Sequence, residues 1–190
     1  MIVMSEHAPR YSAEKAMEML VEGNREYLRT GLHSTEIGED IRIHTAVKGQ
    51  FPYAVIITCS DSRVLPTAIF NAGIGDLFVI RSAGNIVDGC ALGSVEYAVE
   101  HLGCRLVVVL GHTHCGAIKS TLEGPQEGPV AYITEEIRTH IREGATPDEA
   151  CVDNVNNSIS KLRDGLPMRD DVRYVGAIYD IEKGSVEFLD

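Results

Sequence analysis

The sequence predicts an α/β fold: a mostly parallel central β-sheet flanked by helices, with an N-terminal helical arm ahead of it. Three observations predict it. Short apolar runs rich in β-branched residues recur as YAVIIT at 53–58, LFVI at 77–80 and LVVVL at 106–110. Unlike strands with one wet face, they do not alternate apolar with polar residues; continuous apolar strands belong to parallel sheets covered on both sides. Helical segments lie between and after them, which is the order of a parallel sheet with crossover helices.

The elements follow in order. Residues 12–29, SAEKAMEMLVEGNREYLR, form an amphipathic helix in which Met17, Leu20, Val21, Tyr27 and Leu28 recur at helical spacing. Ser12 is its N-cap, and Glu14 sits in the positive first turn. Residues 30–50 are polar and are expected to run over the surface. Beyond 58 and 80 the next helix is 90–102, followed by the third strand. EGPQEGP at 123–129 is a Gly/Pro loop. Helices are expected over 130–143 and 148–163, and strands over 172–179 and 185–189 with Lys183-Gly184 as their turn. Gly73-x-Gly75-Asp76 lacks a full nucleotide-loop pattern and precedes a strand, so it reads as a turn. Asn85 is a candidate cap for the helix after it. The expectation is one domain over 1–190, with a helical arm at 1–50 and an α/β core at 51–190.

Bulk properties exclude several partners. A net charge of −11 argues against nucleic acid and anionic membranes, which need basic patches. No apolar run approaches the roughly 18 residues of a membrane span. The start MIVMSEHAPR has no basic segment leading into an apolar one, so no secretory signal is visible and a cytoplasmic location is expected. The five cysteines are Cys59, Cys90, Cys104, Cys115 and Cys151, and no Cys-x-x-Cys pair occurs. In a reducing compartment this odd set favours metal binding or burial over a disulfide framework.

In a parallel sheet, ligands sit beyond the carboxyl ends of the strands. After the first strand comes Cys59-Ser60-Asp61-Ser62-Arg63, and after the third Gly111-His112-Thr113-His114-Cys115-Gly116. Two thiolates and one imidazole suit zinc, and three protein ligands leave the fourth position open as catalytic zinc requires. Asp61 has two readings here. It is either a fourth ligand that closes the site or the partner of Arg63, whose planar guanidinium grips a carboxylate at two points. It could also cap the residues after Pro66. A lone His-x-x-Cys is a weak signal; the joint pattern is far more specific. The spacing of His114 from His112 does not exclude coordination, but both cysteines are better ligands for a softer site, so His114 is read chiefly as surface-facing or as a proton relay. Cys90, Cys104 and Cys151 are read as core or surface thiols.

CSDSRV, RSAGN and GHTHCG together resemble the β-class carbonic anhydrases, and the likeness runs from GNREYL in the first helix to the GAIYDIEKGSVEFL tail. The resemblance implies that Cys59, His112 and Cys115 hold one zinc ion per chain. Asp61 and Arg63 match the catalytic pair that decides whether the fourth position is open, with Asp61 the fourth ligand in a closed state. Gln50, nine residues before Cys59, matches a glutamine that hydrogen-bonds substrate. Val64, Phe78, Ala83 and Tyr97 match the lining of a small apolar pocket, and Gly116 matches its backbone border. The Ala83 position is often bulkier in the family, implying a slightly roomier pocket. Gln50 and Tyr97 are implied to reach the site from a neighbouring subunit. The implied assembly is therefore an obligate homodimer or a dimer of dimers, with the arm packing on the partner.

The implied activity is reversible hydration of carbon dioxide to bicarbonate and a proton. Zinc lowers the pKa of bound water from about 15.7 to about 7, so hydroxide becomes available near neutrality. Two thiolates neutralise the metal, so activity is expected to rise with pH. Gln50 would aim a donor at the developing oxyanion. Two alternatives use the same residues. One is a carbon disulfide or carbonyl sulfide hydrolase on this scaffold. The other is a non-enzymatic bicarbonate sensor, against which the retention of Asp61, Arg63 and Gln50 argues.

Overall fold

The structure, a computed structural model, describes residues 10–31, 37–167 and 169–189. Five strands form one sheet in the order β2-β1-β3-β4-β5. They are β1 Ala54–Cys59, β2 Leu77–Ser82, β3 Leu106–His112, β4 Arg173–Tyr179 and β5 Val186–Phe188. The first four run parallel, and β5 turns back antiparallel on β4. The mostly parallel sheet expected from the sequence is the one observed.

The continuous apolar runs have a simple cause. Every residue of β1 and β3 is buried, because helices cover both faces of the sheet. Ala54, Ile56, Leu106, Val108 and Leu110 pack on one face beneath Ala13, Ala16 and Leu20 of α1 (Ala13–Thr30) and Ile69 of α3 (Pro66–Ile69). Val55, Ile57, Val107 and Val109 pack on the other. They lie beneath Val95 and Val99 of α4 (Gly89–His101) and Val155 and Leu162 of α7 (Pro147–Gly165). A third apolar cluster lies beyond the carboxyl ends of the strands. It joins Cys59 and Cys115 to Ile118 of α5 (Gly116–Glu123), Ile137 of α6 (Val130–Arg138) and Cys151 of α7.

Local signals start the helices. The Ser12 side chain accepts from Lys15 N–H at 3.2 Å, capping α1. Thr146 and Glu149 form a reciprocal capping box ahead of α7, with Pro147 at its first position. Asp88 caps α4 by accepting from Ala91 N–H at 2.9 Å; the cap expected at Asn85 is therefore three residues further on. Asp61 caps nothing after Pro66, since the N-cap of α3 is Leu65, with no side-chain bond. Asp76 closes its turn by accepting from Gly73 N–H at 2.8 Å, so that segment is a turn as read.

Three elements depart from the sequence reading. The part of the 30–50 stretch that lies within the described residues includes a helix, α2 (Glu39–Lys48), none of whose residues is buried. With no buried face, its apolar residues gave no clear helical stripe. Helix α5 (Gly116–Glu123) was hidden because it begins at a glycine directly after Cys115. Helix α6 stops at Arg138 rather than 143, because the chain turns to pair Arg142 with Asp153 of α7 at 2.9 Å.

Helix α1 buries its apolar face against its own chain. Asn24, 5 % exposed, donates to Ile69 O at 3.1 Å and to Gly184 O at 3.0 Å, and accepts from Val186 N–H at 3.0 Å. One amide thereby ties α1 to α3 and to the β4–β5 turn. At Gly23 the helix comes so close to that neighbour that an added Cβ would fall 1.9 Å from Phe70 O. Among the described residues no helix is long and apolar enough to cross a membrane.

Candidate metal centre

Register brings the site together. Cys59 ends β1 and pairs with Ser82, while Thr58 pairs with Leu110 of β3, two residues before His112. The ends of β1 and β3 therefore lie side by side at one sheet edge, and the turn after β3 returns Cys115 to them. The sulfur and nitrogen donors of Cys59, His112 and Cys115 all lie within 4.8 Å of one another, and the two Sγ atoms are 4.0 Å apart. A tetrahedral ion with Zn–S bonds of about 2.3 Å separates its sulfurs by about 3.8 Å, so the spacing fits zinc. It is the only such group among the described residues.

The histidine supplies an independent test of fit. Its Nδ1 lies 2.9 Å from the Thr113 carbonyl, which fixes the proton on that nitrogen. The other nitrogen, Nε2, is fully enclosed and has no hydrogen-bond partner. A buried, unpartnered lone pair is costly unless something binds it. Here it stands with two thiol sulfurs, the three donors within 4.8 Å of one another.

The thiols are prepared for ionisation. Cys59 Sγ receives a hydrogen bond from Cys115 and backbone N–H groups from Gly84 at 3.3 Å and Asp61 at 3.4 Å. The Cys115 thiol, followed by these donors, holds the Cys59 thiol well below its ordinary range. Its partner is pushed up, first by that same hydrogen bond and then by burial. A cation between them removes the conflict, because both can then be thiolates.

Asp61 is not one of the clustered donors; Arg63 grips it instead. Arg63 Nε donates to its Oδ1 at 2.9 Å and Nη2 to its Oδ2 at 2.7 Å, a two-point fork. Arg63 backbone N–H adds a third bond to Oδ1 at 3.0 Å. The Arg63 side chain, followed by other contacts, holds the Asp61 carboxyl far below the usual carboxylate range. Of the two readings left open by the sequence, the conformation seen is the Asp–Arg pair. Arg63 Nη2 also donates to His114 O at 3.2 Å. His114 has a left-handed backbone, φ 58°, and its exposed ring points to Glu182 at 3.3 Å, away from the donor cluster.

The remaining expected site residues fall into three groups. Ala83 and Gly116 border the cluster: Ala83 opens the short turn Ala83–Asn85 whose Gly84 N–H reaches Cys59, and Gly116 follows Cys115. Val64 closes the Cys59–Val64 turn, but its side chain is buried in the core beneath α1 and α3. Gln50, Phe78 and Tyr97 lie elsewhere in this chain. Phe78 pairs with Val55, four residues before Cys59, or about 13 Å along the strand. Its ring centroid is 6.2 Å from that of Tyr97. Tyr97 and Gln50 line a separate hollow of ≈ 670 Å³ with Ile74, Gly75 and Leu102, at the amino edge of the sheet.

Several contributors were not read from the sequence. Gly84 N–H and Thr113 O act through backbone atoms, for which side-chain chemistry gives no signal. Cys151 donates to His112 O at 3.3 Å, and burial pushes its thiol up to about 12, so it supports the ligand turn as a neutral group. Cys90 is exposed and Cys104 is buried, donating to Pro52 O at 3.3 Å.

Comparison with known proteins decides the family. Residues 54–186 match the family model described as carbonic anhydrase. The carbonic anhydrase of Mycolicibacterium smegmatis is 34% identical over 94% of this chain and 94% of its own length. The chain belongs to the β-class carbonic anhydrases. Among solved structures, the β-carbonic anhydrase CafA of Aspergillus fumigatus superposes with a TM-score of 0.67 at 26% identity, covering 93% of this chain and 88% of that one. Tetrameric β-carbonic anhydrases of Sordaria macrospora give a TM-score of 0.65 at 25% identity, covering 91% and 96%. Zinc is the metal of β-class carbonic anhydrases, and the Cys59–His112–Cys115 group is suited to hold it.

Proposed function

We propose that this carbonic anhydrase hydrates carbon dioxide reversibly to bicarbonate and a proton, using Cys59, His112 and Cys115 as ligands to one zinc per chain. The observation that carries this reading is the Asp61–Arg63 fork. With both carboxylate oxygens engaged by Arg63, Asp61 is held as an acceptor beside the metal rather than as a fourth ligand. A structural zinc would be closed by four protein ligands, and a catalytic one keeps a position open. The zinc supplies Lewis acidity, bringing the ionisation of water from about 15.7 to about 7.

The chain's own groups do the rest. Arg63 fixes the Asp61 carboxylate as a hydrogen-bond acceptor, so that the nucleophile's remaining proton points to it and a lone pair points to carbon. Ala83 and Gly116 leave room for a small apolar molecule. Gln50 donates to the oxygen that gains charge. It lies at the amino edge of its own sheet, so the Gln50 that serves a given metal comes from a second copy, along with Tyr97. Exposed apolar groups support the arrangement: Ile74 and Tyr97, 37 % and 47 % exposed, line that hollow, and α2, which supplies Thr45 and Ala46 to it, also exposes Ile43 and Val47. The arm that meets the partner is then α2 rather than the buried face of α1. The assembly is a homodimer, or a dimer of dimers like the tetrameric Sordaria enzymes, in the cytoplasm.

Stopped-flow hydration by zinc-quantified protein from about pH 6.5 to about pH 9 tests the reaction. Turnover that rises with pH is expected. Zinc-loaded protein without turnover rejects the reading and directs the assay to carbon disulfide and carbonyl sulfide. Mixing Gln50→Ala chains with His112→Ala chains tests the shared site, since a mixed dimer holds one complete set of residues. Recovery of activity is expected on mixing two inactive preparations, and no recovery removes the partner's Gln50 from the site.

A further inference from the structure

Arg81 is the second-last residue of β2, in register with Thr58 of β1. Its guanidinium lies over the end of β1 and collects three carbonyls. Nε and Nη2 each donate to Cys59 O at 3.1 Å. Nη2 also donates to Asp61 O at 2.7 Å and to Val64 O at 2.9 Å. All three acceptors belong to one tight turn, closed by Val64 N–H donating to Asp61 O at 3.0 Å. That turn carries a metal-ligand thiol at its start and the Asp61–Arg63 pair in its middle.

We propose that Arg81 is a positioning residue for the reaction. It sets the backbone of the Cys59–Val64 turn so that Asp61 meets Arg63 while Cys59 Sγ faces His112 and Cys115. The sheet ladder holds this segment only as far as Ser60, whose N–H donates to Ser82 O at 3.0 Å. Beyond it, the fork of Asp61 with Arg63 faces solvent, the Arg63 side chain being 50 % exposed. Exposed ion pairs are weak organisers of a backbone. Arg81 is exposed as well, so its hold comes from number and convergence: four bonds from one charged donor group to three carbonyls of the same turn. Only a planar guanidinium can address three carbonyls in a fixed fork; a lysine ammonium is a compact point donor on a flexible stem. Arg81 touches neither metal nor substrate, so its effect travels through the turn.

The activity arm of the test rests on the carbonic anhydrase reading; the structural arms do not. Arg81→Lys and Arg81→Gln are prepared with zinc and compared with the native enzyme. Residues that orient metal ligands typically change activity or affinity by about 10–100-fold. A loss of that size is expected, shared equally by kcat and kcat/KM, with one zinc per chain and an unchanged melting temperature. Amide hydrogen exchange of residues 60–64 is expected to accelerate about tenfold while the strands stay protected. Folded variants with exchange and kcat both within about twofold of native overturn the proposal. If neither variant folds, the native protein decides: the Arg81 Nε–H signal in nitrogen-15 NMR is expected to be slow to exchange with water, and a freely rotating, unprotected guanidinium overturns it. Native enzyme without hydration activity rejects the carbonic anhydrase reading alone, leaving the exchange and NMR arms to judge the clamp.

Discussion

Gly84→Ala is the substitution whose cost can be worked most directly from the site. Gly84 has φ 66° and ψ 21°, in the left-handed region. An L-residue there costs about 1–2 kcal/mol of backbone strain. The added Cβ would also fall 2.7 Å from Ile137 Cδ1 and 3.0 Å from Ala117 Cβ. Ile137 is fully buried, so its methyl has nowhere to swing, and overpacking of this kind costs about 1–3 kcal/mol. The sum is about 2–5 kcal/mol, a large share of the roughly 5–15 kcal/mol that stabilises a typical domain. Relief would push the turn away from α5 and α6, taking with it the N–H that reaches Cys59 Sγ at 3.3 Å and the carbonyl that accepts from Asn154 at 2.8 Å. Zinc affinity should therefore fall by about tenfold as well. Urea unfolding at fixed zinc concentration measures the first quantity and chelator competition the second. A destabilisation below about 0.5 kcal/mol, the range of a neutral surface change, would refute the reasoning about this turn.

Three other outcomes are expected. Arg63→Ala should retain zinc but lose at least about tenfold in kcat/KM, because Asp61 is freed to turn toward the metal; full activity in stopped-flow hydration would show that the fork is not needed. Removing zinc with a chelator should lower the melting temperature, and readdition should restore it, because binding to the folded state alone stabilises it; an unchanged melting curve would contradict the placement of the ligands. Asp171 is held below its ordinary range first by Arg169 and then by other contacts, including the charge of Arg105, which is 7 % exposed and 2.7 Å from it. A depressed carboxylate adds stability that is present above its unfolded pKa of about 3.9 and is lost as pH falls through the folded value. Asp171→Asn should therefore destabilise at neutral pH and flatten the acid limb of melting temperature against pH. Parallel curves for the two proteins would remove this pair from acid unfolding.

How much of this could be read beforehand depended on where the physics is written. Strands β1 and β3 were legible because burial on both faces demands an unbroken apolar run, and the end of such a run in a parallel sheet is where ligands gather. Cys59, His112 and Cys115 were legible as donor types at those ends. The state of Asp61 was not, because the same residues permit a ligand or a fork; only the positions of Arg63 Nε and Nη2 distinguish them. Arg81 stood in RSAGN, one of the three motifs that carry the family likeness, but its bonds go to carbonyls, which every residue possesses. Helix α2 was missed because none of its residues is buried, so its apolar residues mark no inner face. The separation of Phe78 from Val64 was missed because matching residues to pocket roles ignores strand direction, whereas register places Phe78 near the start of β2 and Ala83 just beyond its end.

That separation follows from the polarity of the sheet. In parallel strands every carboxyl end lies at one edge, so the turns that supply metal ligands gather there and the connections entering the strands gather at the other. Gln50 enters β1, Gly75 enters β2 and Leu102 precedes β3; all lie at the edge opposite Cys59. No side-chain rearrangement carries Gln50 past the length of β1, about 17 Å away along the strand. A two-fold dimer solves this by symmetry, because an isologous contact that brings one chain's entry edge to its partner's metal edge does the same in reverse. On the proposed reading the two sites form together or not at all. Zinc binding then belongs to the single chain, which holds all three ligands, whereas turnover belongs to the pair. Dilution below the dimer's dissociation constant should accordingly abolish hydration while leaving zinc bound.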